Sequence, residues 1–295
     1  IIKAALFGQF YRQGAEAYVQ LILQTLLHHQ VDVHVAQEFA DLLEENDVVI
    51  DQMDDLVRFT ELDRSYDFFI SVGGDGTILK SVTYVRDLDI PVIGINTGRL
   101  GFLSTIPKED LEKQLLQVIK GNYTITERTL LTISTQPEDN DLAPLNFALN
   151  EVAVNRKNST SMIRVDVWIQ QEHLNSYWSD GLIVATPTGS TGYSLSCGGP
   201  LIDPSSANLV ITPIAPHNLN ARPLIIPDHQ EVRLKVTTGE AHFLVSLDSR
   251  IATLPNETEI LIKKAPFTLK MIQLPQTSFI KTLRDKFLWG EDRRN

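Results

Sequence analysis

The 295-residue chain is 43% hydrophobic and 21% charged, the composition of an ordinary globular protein with room for one large domain or two smaller ones. Its formal net charge of −11 argues against general nucleic-acid binding, which needs a basic face. Its apolar runs are all shorter than the roughly 20 residues that cross a bilayer, so we expect no association with a membrane.

The cysteine content and the N-terminal segment indicate the compartment. Cys197 is the only cysteine, which excludes an internal disulfide and fits a reducing environment. The strand-like segment Ile2–Phe7 follows no basic region and precedes no small-residue cleavage site, so the sequence indicates no signal peptide. We therefore expect a cytoplasmic protein.

The first 121 residues alternate between strand-like and helix-like patterns. Apolar runs predict strands at Ile2–Phe7, Val31–Val35, Phe68–Val72 and Ile90–Ile95. Helical spacing of apolar residues, or a suitable segment after a strand, predicts helices at Ala15–His29, Ile78–Arg86 and Glu109–Ile119. Strands separated by helices of this length are typical of βαβ units, so residues 1–121 are predicted to form an α/β domain with a mainly parallel sheet.

After Gly121 the pattern changes to strand after strand, separated by turn residues. Predicted strands lie at Thr124–Ser134, Phe147–Val154, Ile163–Ile169, Gly181–Ala185, Val232–Val236, Phe243–Leu247, Ile260–Ile262 and Phe267–Ile272. Residues 122–274 are therefore predicted to form an all-β, sandwich-like domain. In the tail, residues 275–295, Phe279, Leu283 and Phe287 share one helical face. That apolar stripe needs a groove, and the first domain is the expected partner.

The segment Gly73–Thr77 (GGDGT) follows an apolar strand directly and precedes a predicted helix. Ligands of open α/β sheets bind beyond the carboxyl ends of the strands, and glycines there let the backbone approach a phosphate. Asp75 between the glycines can accept a proton from a hydroxyl nucleophile or hold a metal. The alternative is a tight turn in which Asp75 only caps the helix.

The next strand is followed by Asn96–Leu103 (NTGRLGFL), which carries Gly98 and Gly101. Because it follows a parallel strand as Gly73 does, the two loops are expected at the same sheet edge and in one crevice. An ordinary strand-to-helix connection is the alternative interpretation.

Two further segments indicate a ligand. Asn150-Glu151 interrupts an apolar strand, and buried polar groups in a strand need partners, although the pair can also face water at a strand edge. Ser179–Pro204 crowds glycines and hydroxyl side chains between apolar anchors, which supplies donors for a phosphate-bearing ligand and is unlike a flexible linker. The seven histidines show no metal-ligand spacing, and we assign no metal ligand. Cys197 is interpreted as a small buried residue.

Together and in this order, these segments resemble the NAD kinase family. The resemblance also includes Leu149–Asn155 and Ile211–Pro227 and spans most of the chain. The GGDGT loop alone is shared with lipid kinases, whereas the run TGSTGYSLS and the later pattern Pro-His-x-Leu-x-x-Arg-Pro are more specific. The family architecture, an α/β domain followed by a β domain, is the same as the one predicted above.

The resemblance implies transfer of the γ-phosphoryl of ATP to the 2′-hydroxyl of the adenosine ribose of NAD, with a divalent cation, normally Mg²⁺. Asp75 would be the proton acceptor with Gly76 beside it, and Lys80, one helical turn later, could reach a phosphate. The residues implied to bind NAD are Asn150, Glu151, Asp180, Thr188, Thr191, Gly192, Tyr193, Ser194, Leu195, Ser196 and Ala215. Ala215 could come from a neighbouring subunit, since members of the family are generally homodimers or homotetramers.

Three questions stay open at the level of sequence. A lipid kinase of the diacylglycerol or sphingosine type shares the GGDGT loop, although this acidic chain has no basic amphipathic helix for a membrane. A dinucleotide sensor without catalysis is a second alternative, although a carboxylate near phosphates opposes binding alone. The donor is also open, because polyphosphate serves some members of the family.

Overall fold

The computed structural model describes residues 1–9, 14–98, 100–139, 141–158 and 161–289. The chain divides into two compact units, of which the first comprises Ile1–Glu127 with Leu269–Asn295 and the second Arg128–Thr268. Both boundaries fall inside long strands. The limits expected from the sequence, after residues 121 and 274, stay a prediction about domain organisation.

The first unit alternates strands and helices. Its elements are β1 (Lys3–Gly8), α1 (Glu16–His28), β2 (Asp32–Ala36), α2 (Gln37–Glu45), β3 (Val57–Phe59), β4 (Phe68–Val72), α3 (Asp75–Val85), β5 (Val92–Asn96), β6 (Ile106–Pro107) and α4 (Leu111–Ile119). The strands pair in parallel in the order β5-β4-β1-β2-β3, and β6 pairs with β5. All residues of β4 and β5 are buried, as expected of central strands covered on both faces.

Two long strands each have one part in the first unit and the other part in the second. They are β7 (Thr124–Gln136) and, later in the chain, β18 (Glu259–Gln273). Within the first unit, Met271 of β18 pairs with Val92 of β5.

The second unit is built almost entirely of antiparallel strands. They are β8 (Phe147–Ala148), β9 (Glu151–Asn155), β10 (Ile163–Ile169), β11 (Glu172–Ser179), β12 (Gly181–Ala185), β13 (Asn208–Ile214), β14 (Leu224–Pro227), β15 (Val232–Thr237), β16 (His242–Leu247) and β17 (Arg250–Pro255). One sheet has the order β14-β13-β12-β9-β16-β17, while β11, β10, β15 and β18 pair in a second set. Among the described residues of this unit there is one short α-helix, α5 (Tyr193–Ser196), which follows the 3₁₀ turn Thr188–Thr191.

The core of the second unit lies between these two sets of strands. Alternate residues of β9 and β16 meet those of β10 and β15 in one cluster, for example Val154, Val165 and Val245. Each of these side chains is fully buried, which contributes about 1.5–3 kcal/mol apiece relative to exposure. The fold class expected from the sequence, an α/β part followed by a β-rich sandwich-like part, is therefore confirmed.

The last helix, α6 (Phe279–Phe287), packs within the first unit. The hydroxyl of Ser278 accepts the backbone N–H of Lys281 and caps its N-terminus. The rings of Phe279 and Phe287 both contact the ring of Phe102. Within the described part of the chain, no helix combines the length and apolarity that a membrane-spanning segment requires.

Candidate active site

The loop Gly73–Thr77 joins the end of β4 to the start of α3. Gly73 has φ +153, and a Cβ there would lie 2.2 Å from Thr77 Oγ1, so both backbone and space require glycine. Its N–H donates to the carbonyl of Ile95 in the neighbouring strand β5. The glycine therefore keeps the loop close to the sheet edge.

Asp75 is the first residue of α3, but its side chain does not cap that helix. Its Oδ1 accepts the backbone N–H groups of Leu103 at 3.0 Å and Ser104 at 2.9 Å, and Oδ2 accepts that of Phe102 at 2.8 Å. The capping interpretation is therefore wrong. The carboxylate instead holds the loop that follows β5, which confirms that the two loops lie together.

Glycine is also required where that second loop passes Asp75. A Cβ on Gly101 would lie 1.8 Å from Asp75 Oδ1, far inside van der Waals contact. The hydroxyl of Ser104 adds a hydrogen bond to the carbonyl of Gly73 at 3.0 Å. These contacts give the carboxylate one fixed orientation.

Gly76 and Lys80, the two other candidate residues on α3, differ in their surroundings. Gly76 is exposed, and a Cβ there would meet nothing within 4 Å. The ammonium of Lys80 is paired with the carboxylate of Glu38 on α2. Lys80 therefore has an intramolecular partner that any phosphate would have to replace.

A cavity of about 590 Å³ lies beside this ion pair, at the carboxyl ends of β1 and β3. Aromatic side chains of Phe7, Phe59 and Tyr84 line it together with the carboxylates of Glu38 and Asp41. Asp75 is not among the residues that line the cavity, so the cavity is separate from the glycine-bordered loop that carries Asp75.

In the second unit, Asn150 and Glu151 lie at the start of β9, after a break from β8. Glu151 is only 7% exposed, and neither Asn150 Oδ1 nor Glu151 Oε2 has a hydrogen-bond partner among the described residues. Buried polar oxygens without partners are costly, at about 1–3 kcal/mol each. Their presence side by side is typical of a ligand site.

The hairpin turn between β16 and β17 fixes the backbone around Asn150 and Glu151. Asp248, between β16 and β17, accepts the backbone N–H groups of Leu149 at 2.9 Å and Asn150 at 2.7 Å. Arg250 donates to the carbonyls of Leu145 and Phe147 in the preceding segment. The sequence marks Arg250 as unusual for the family but assigns no role to it or to Asp248. A charged pair in a turn is normally solvated, and only the register of β9 with β16 brings the two residues here.

The segment Ser179–Pro204 packs against the same pair. Thr186 donates to the carbonyl of Leu149, and a Cβ on Gly189 would lie 2.0 Å from the carbonyl oxygen of Asn150. A Cβ on Gly192 would lie 3.3 Å from both Asn150 Nδ2 and Glu151 Oε2. The structure therefore brings together the candidates Asn150, Glu151, Thr188, Thr191, Gly192 and Tyr193.

Asp180 and Ala215 lie toward the other end of β9, next to the paired residues Gly181, Ile214 and Asn155. The phenol of Tyr193 donates to Asn155 Oδ1 at 3.4 Å, and Asp180 is paired with Arg156 at 3.1 Å. Ala215, exposed and with φ +45, follows the residue that accepts the N–H of Asp180. Leu195 is half-buried and Ser196 exposed, whereas the buried hydroxyl of Ser194 is bonded to that of Thr212.

Burial dominates the electrostatics of this cluster. It raises the pKa of Glu151 to about 8, with the nearby charge of Asp248 adding to the effect and the N–H of Tyr193 opposing it. The pKa of Tyr193 is raised by burial and then by the negative charges of Cys197, Asp180 and Glu151. Cys197 itself is half-buried, and burial raises its thiol pKa, so it is no activated nucleophile.

The raised pKa of Glu151 predicts a pH-dependent stability. Between pH 4.5 and about 8 the folded state holds a proton that the unfolded state has released, so stability falls as pH rises. Glu151→Gln removes this penalty, and we expect it to gain about 2–3 kcal/mol over the wild type between pH 5.5 and 8.5. Urea unfolding of both proteins at several pH values measures the difference, and parallel curves would contradict the buried, protonated Glu151.

Comparison with known proteins identifies the family of the chain. Residues 5–123 match the model of the ATP-NAD kinase N-terminal domain, and residues 149–274 match that of the ATP-NAD kinase C-terminal domain. NAD kinases of Christiangramia forsetii and Flavobacterium psychrophilum are 52% and 50% identical over 294 residues, which is 100% of each chain in both comparisons.

Two solved structures share the fold. Yeast NADH kinase in complex with NADH has a TM-score of 0.85 at 25% identity, covering 100% of this chain and 89% of the yeast chain. An NAD kinase from Archaeoglobus fulgidus in complex with ATP has a TM-score of 0.75 at 25% identity, covering 97% of this chain and 98% of the archaeal one.

The matched domains and relatives place the chain among enzymes that transfer a phosphoryl group to a hydroxyl. Within that class, the chain belongs to the NAD kinase family. The sequence left two alternatives open, a lipid kinase and a sensor without catalysis. Family membership favours an NAD kinase over both.

Proposed function

We propose that the chain transfers the γ-phosphoryl group of ATP to the 2′-hydroxyl of the adenosine ribose of NAD, giving NADP and ADP. Family membership over nearly the whole chain supports this reaction, as do relatives bound to NADH and to ATP. The observation that carries the proposal is the Asp75 carboxylate, fixed at the carboxyl end of a parallel strand.

Asp75 is the proposed general base. The 2′-hydroxyl oxygen attacks the γ-phosphorus, the bond from that phosphorus to the β-phosphate bridging oxygen breaks, and the hydroxyl proton passes to Asp75. Oδ2 accepts one backbone N–H, so a lone pair remains for this proton. Phosphoryl transfer needs little covalent help, and a positioned base with phosphate donors suffices. Gly76, which has no Cβ, lets the substrate approach.

The second unit is the proposed binding site for NAD. Asn150 and Glu151 bind the adenosine half, a role supported by their two unpartnered buried oxygens among the described residues. Asp180 helps to hold the nicotinamide side, and Ala215 lines the pocket, contributed by a neighbouring subunit. Adenine and ribose are surrounded by Thr188, Thr191, Gly192, Tyr193, Ser194, Leu195 and Ser196.

ATP is the proposed donor, and Mg²⁺ its companion. Magnesium usually keeps several waters and binds through one or two carboxylates together with substrate phosphates. The described residues contain no cluster of three or more His, Cys, Asp or Glu side chains that could hold a metal. The magnesium ion would therefore be held by the phosphates of ATP and by water, which leaves the free lone pair of Asp75 Oδ2 for the proton. Lys80 contributes by exchanging Glu38 for a donor phosphate.

Assembly and location complete the proposal. We propose a homodimer or homotetramer, as is general in the family, and a location in the cytoplasm, which the single cysteine supports. Sedimentation of the purified chain measures its oligomeric state. If a monomer is fully active, then Ala215 of a neighbouring subunit is not part of the site.

The proposed reaction is tested by incubating purified chain with NAD, Mg²⁺ and either ATP or polyphosphate. NADP is detected with a dehydrogenase that accepts only NADP, and ³¹P NMR identifies the 2′-phosphate. We expect NADP with ATP as donor. Absence of NADP with every donor would refute the assignment.

The contact between Gly189 and Asn150 predicts a separate effect on substrate binding. A Cβ at Gly189 would lie 2.0 Å from the carbonyl oxygen and 2.4 Å from the carbonyl carbon of Asn150, and backbone cannot move aside easily. We expect Gly189→Ala to raise KM for NAD about tenfold or more, equivalent to about 1.4 kcal/mol of binding free energy. Gly239→Ala, where a Cβ meets nothing within 4 Å, is the control. Equal KM values in both variants would show that the contact is unimportant.

A further inference from the structure

We propose that helix α6 positions Asp75 for catalysis, through contacts that hold the loop after β5. The inference rests on the proposed role of Asp75 as base. The positioning residues are Phe279, Phe287 and Lys286. The hydrogen bonds given for Asp75 among the described residues come instead from Phe102, Leu103 and Ser104.

In the first set of contacts, two aromatic rings of α6 pack against the ring of Phe102. The ring centroid of Phe102 lies 6.2 Å from that of Phe279, with planes at 47°, and 6.2 Å from that of Phe287, with planes at 42°. Aromatic pairs at this spacing attract beyond the area that they bury. Because α6 contributes a ring from its first turn and another from its last, Phe102 is held along the length of the helix.

The second contact fixes the backbone of the same loop. The ammonium of Lys286 donates to the carbonyl of Leu100 at 2.7 Å and lies 4.9 Å from the centroid of the Phe102 ring. A lysine so placed combines a charge-assisted hydrogen bond with a cation–π interaction. It therefore ties α6 to the loop at two successive points, on either side of Gly101.

The loop that α6 holds is the loop that holds Asp75. Phe102 donates its backbone N–H to Asp75 Oδ2, and its ring packs against α6. Leu103 and Ser104 donate their backbone N–H groups to Oδ1. Gly101, between the two anchored residues, passes so close to the carboxylate that a Cβ would overlap Oδ1. A shift of this backbone therefore moves the carboxylate that the reaction needs in place.

The burial pattern of α6 indicates that these contacts serve the loop more than the core. Of its nine residues only Thr282 and Leu283 are buried. Phe287 is 37% exposed and Ile280 59% exposed. A helix with few buried residues adds little to global stability, so its contacts can be removed without unfolding the unit.

Lys286→Met and Phe287→Ala test the proposal, with Lys281→Met and Ile280→Ala as matched controls on the same helix. The ammonium of Lys281 has no partner within the described residues. We expect the two test variants to lower kcat about 10- to 100-fold, as a misplaced catalytic group does, with KM for NAD changed less than about twofold. The controls should keep the wild-type kcat. Circular dichroism and thermal unfolding of all four variants report on the fold.

Two further measurements separate positioning from general structure. Lys286→Arg keeps a cationic donor over the ring, and it should restore kcat to within about threefold of the wild type. If α6 acts through Asp75, then combining Lys286→Met with Asp75→Asn should lower kcat little further than Asp75→Asn alone. Additive losses, or a wild-type kcat in both Lys286→Met and Phe287→Ala, would overturn the proposal.

These outcomes are distinct from failure of the proposed reaction. If Asp75→Asn retains full turnover, then the base assignment fails and the role of α6 falls with it. If Asp75→Asn abolishes turnover while the variants of α6 leave kcat unchanged, then only the inference about the helix is wrong.

Discussion

Replacing Asp75 by asparagine is expected to lower kcat for NADP formation by about 10²- to 10⁴-fold, the range that a positioned general base contributes. KM for NAD should change by less than about threefold, because the residues proposed to bind NAD lie in the second unit. Asparagine is nearly the same size as aspartate, but its amide accepts no proton. Steady-state kinetics with NAD and Mg-ATP separate the two constants.

The hydrogen bonds of Asp75 make a second effect measurable in the same variant. The amide oxygen of asparagine can still accept the N–H groups of Leu103 and Ser104, but its NH₂ group would face the N–H of Phe102. Leaving that donor unpaired costs about 1–3 kcal/mol, so a modest loss of stability accompanies the loss of turnover.

A matched control distinguishes chemistry from the loss of a charge. Asp47 is exposed with φ 55, a conformation that asparagine adopts readily, so Asp47→Asn should leave kcat and stability unchanged. If Asp75→Asn turned over NAD as fast as Asp47→Asn does, another group would have to accept the proton.

Much of the fold could be predicted because its strands are either buried apolar runs or alternate apolar with polar residues. Phe68–Val72, Ile163–Ile169 and Gly181–Ala185 are strands at the predicted residues. In each of them local pattern and tertiary burial agree, since the side chains that favour extended backbone also fill the core. Helix α4 was predictable for the same reason, with one apolar face.

Other elements could not be predicted, because their local patterns conflict with their place in the fold. Helix α2 follows β2 directly, with no turn residue or capping side chain to mark its start, yet it buries Phe39, Ala40 and Leu43 against the sheet. Strand β18 is continuous, although the segment Lys263–Pro266 within it separates two predicted strands. Proline donates no ladder hydrogen bond, but its fixed φ allows extended backbone.

The candidate site shows the same limit. The sequence indicates that Asp75 and Asn150-Glu151 matter, because polar groups stand where strands end or are interrupted. It does not indicate what holds them. The donors to Asp75 lie 27 to 29 residues away, and Asp248 lies 97 to 99 residues from the three N–H groups that it accepts. Such partners follow from strand register, which one sequence does not reveal.

Gly101→Ala is the second variant with a large expected effect, and it leaves every catalytic group in the protein. The added Cβ would lie 1.8 Å from Oδ1, 2.5 Å from Cγ and 2.9 Å from Oδ2 of Asp75. Since the whole carboxylate is in the way, either Asp75 or the loop must move by more than an ångström. A displacement of this size costs about 10²-fold in rate when the group takes part in the reaction.

Gly98→Ala in the same loop is the control for Gly101→Ala. A Cβ at Gly98 would have Asn96 Oδ1 at 3.9 Å as its nearest neighbour, an ordinary contact, and the bond from its N–H to that oxygen is kept. We expect Gly98→Ala to keep kcat within about twofold of the wild type, and Gly101→Ala to lose about 10²-fold at nearly unchanged KM for NAD. Equal turnover in the two variants would show that the contact of Gly101 with Asp75 does not set the rate. A selective loss in Gly101→Ala would show that the reaction depends on where the loop holds the carboxylate as well as on its presence.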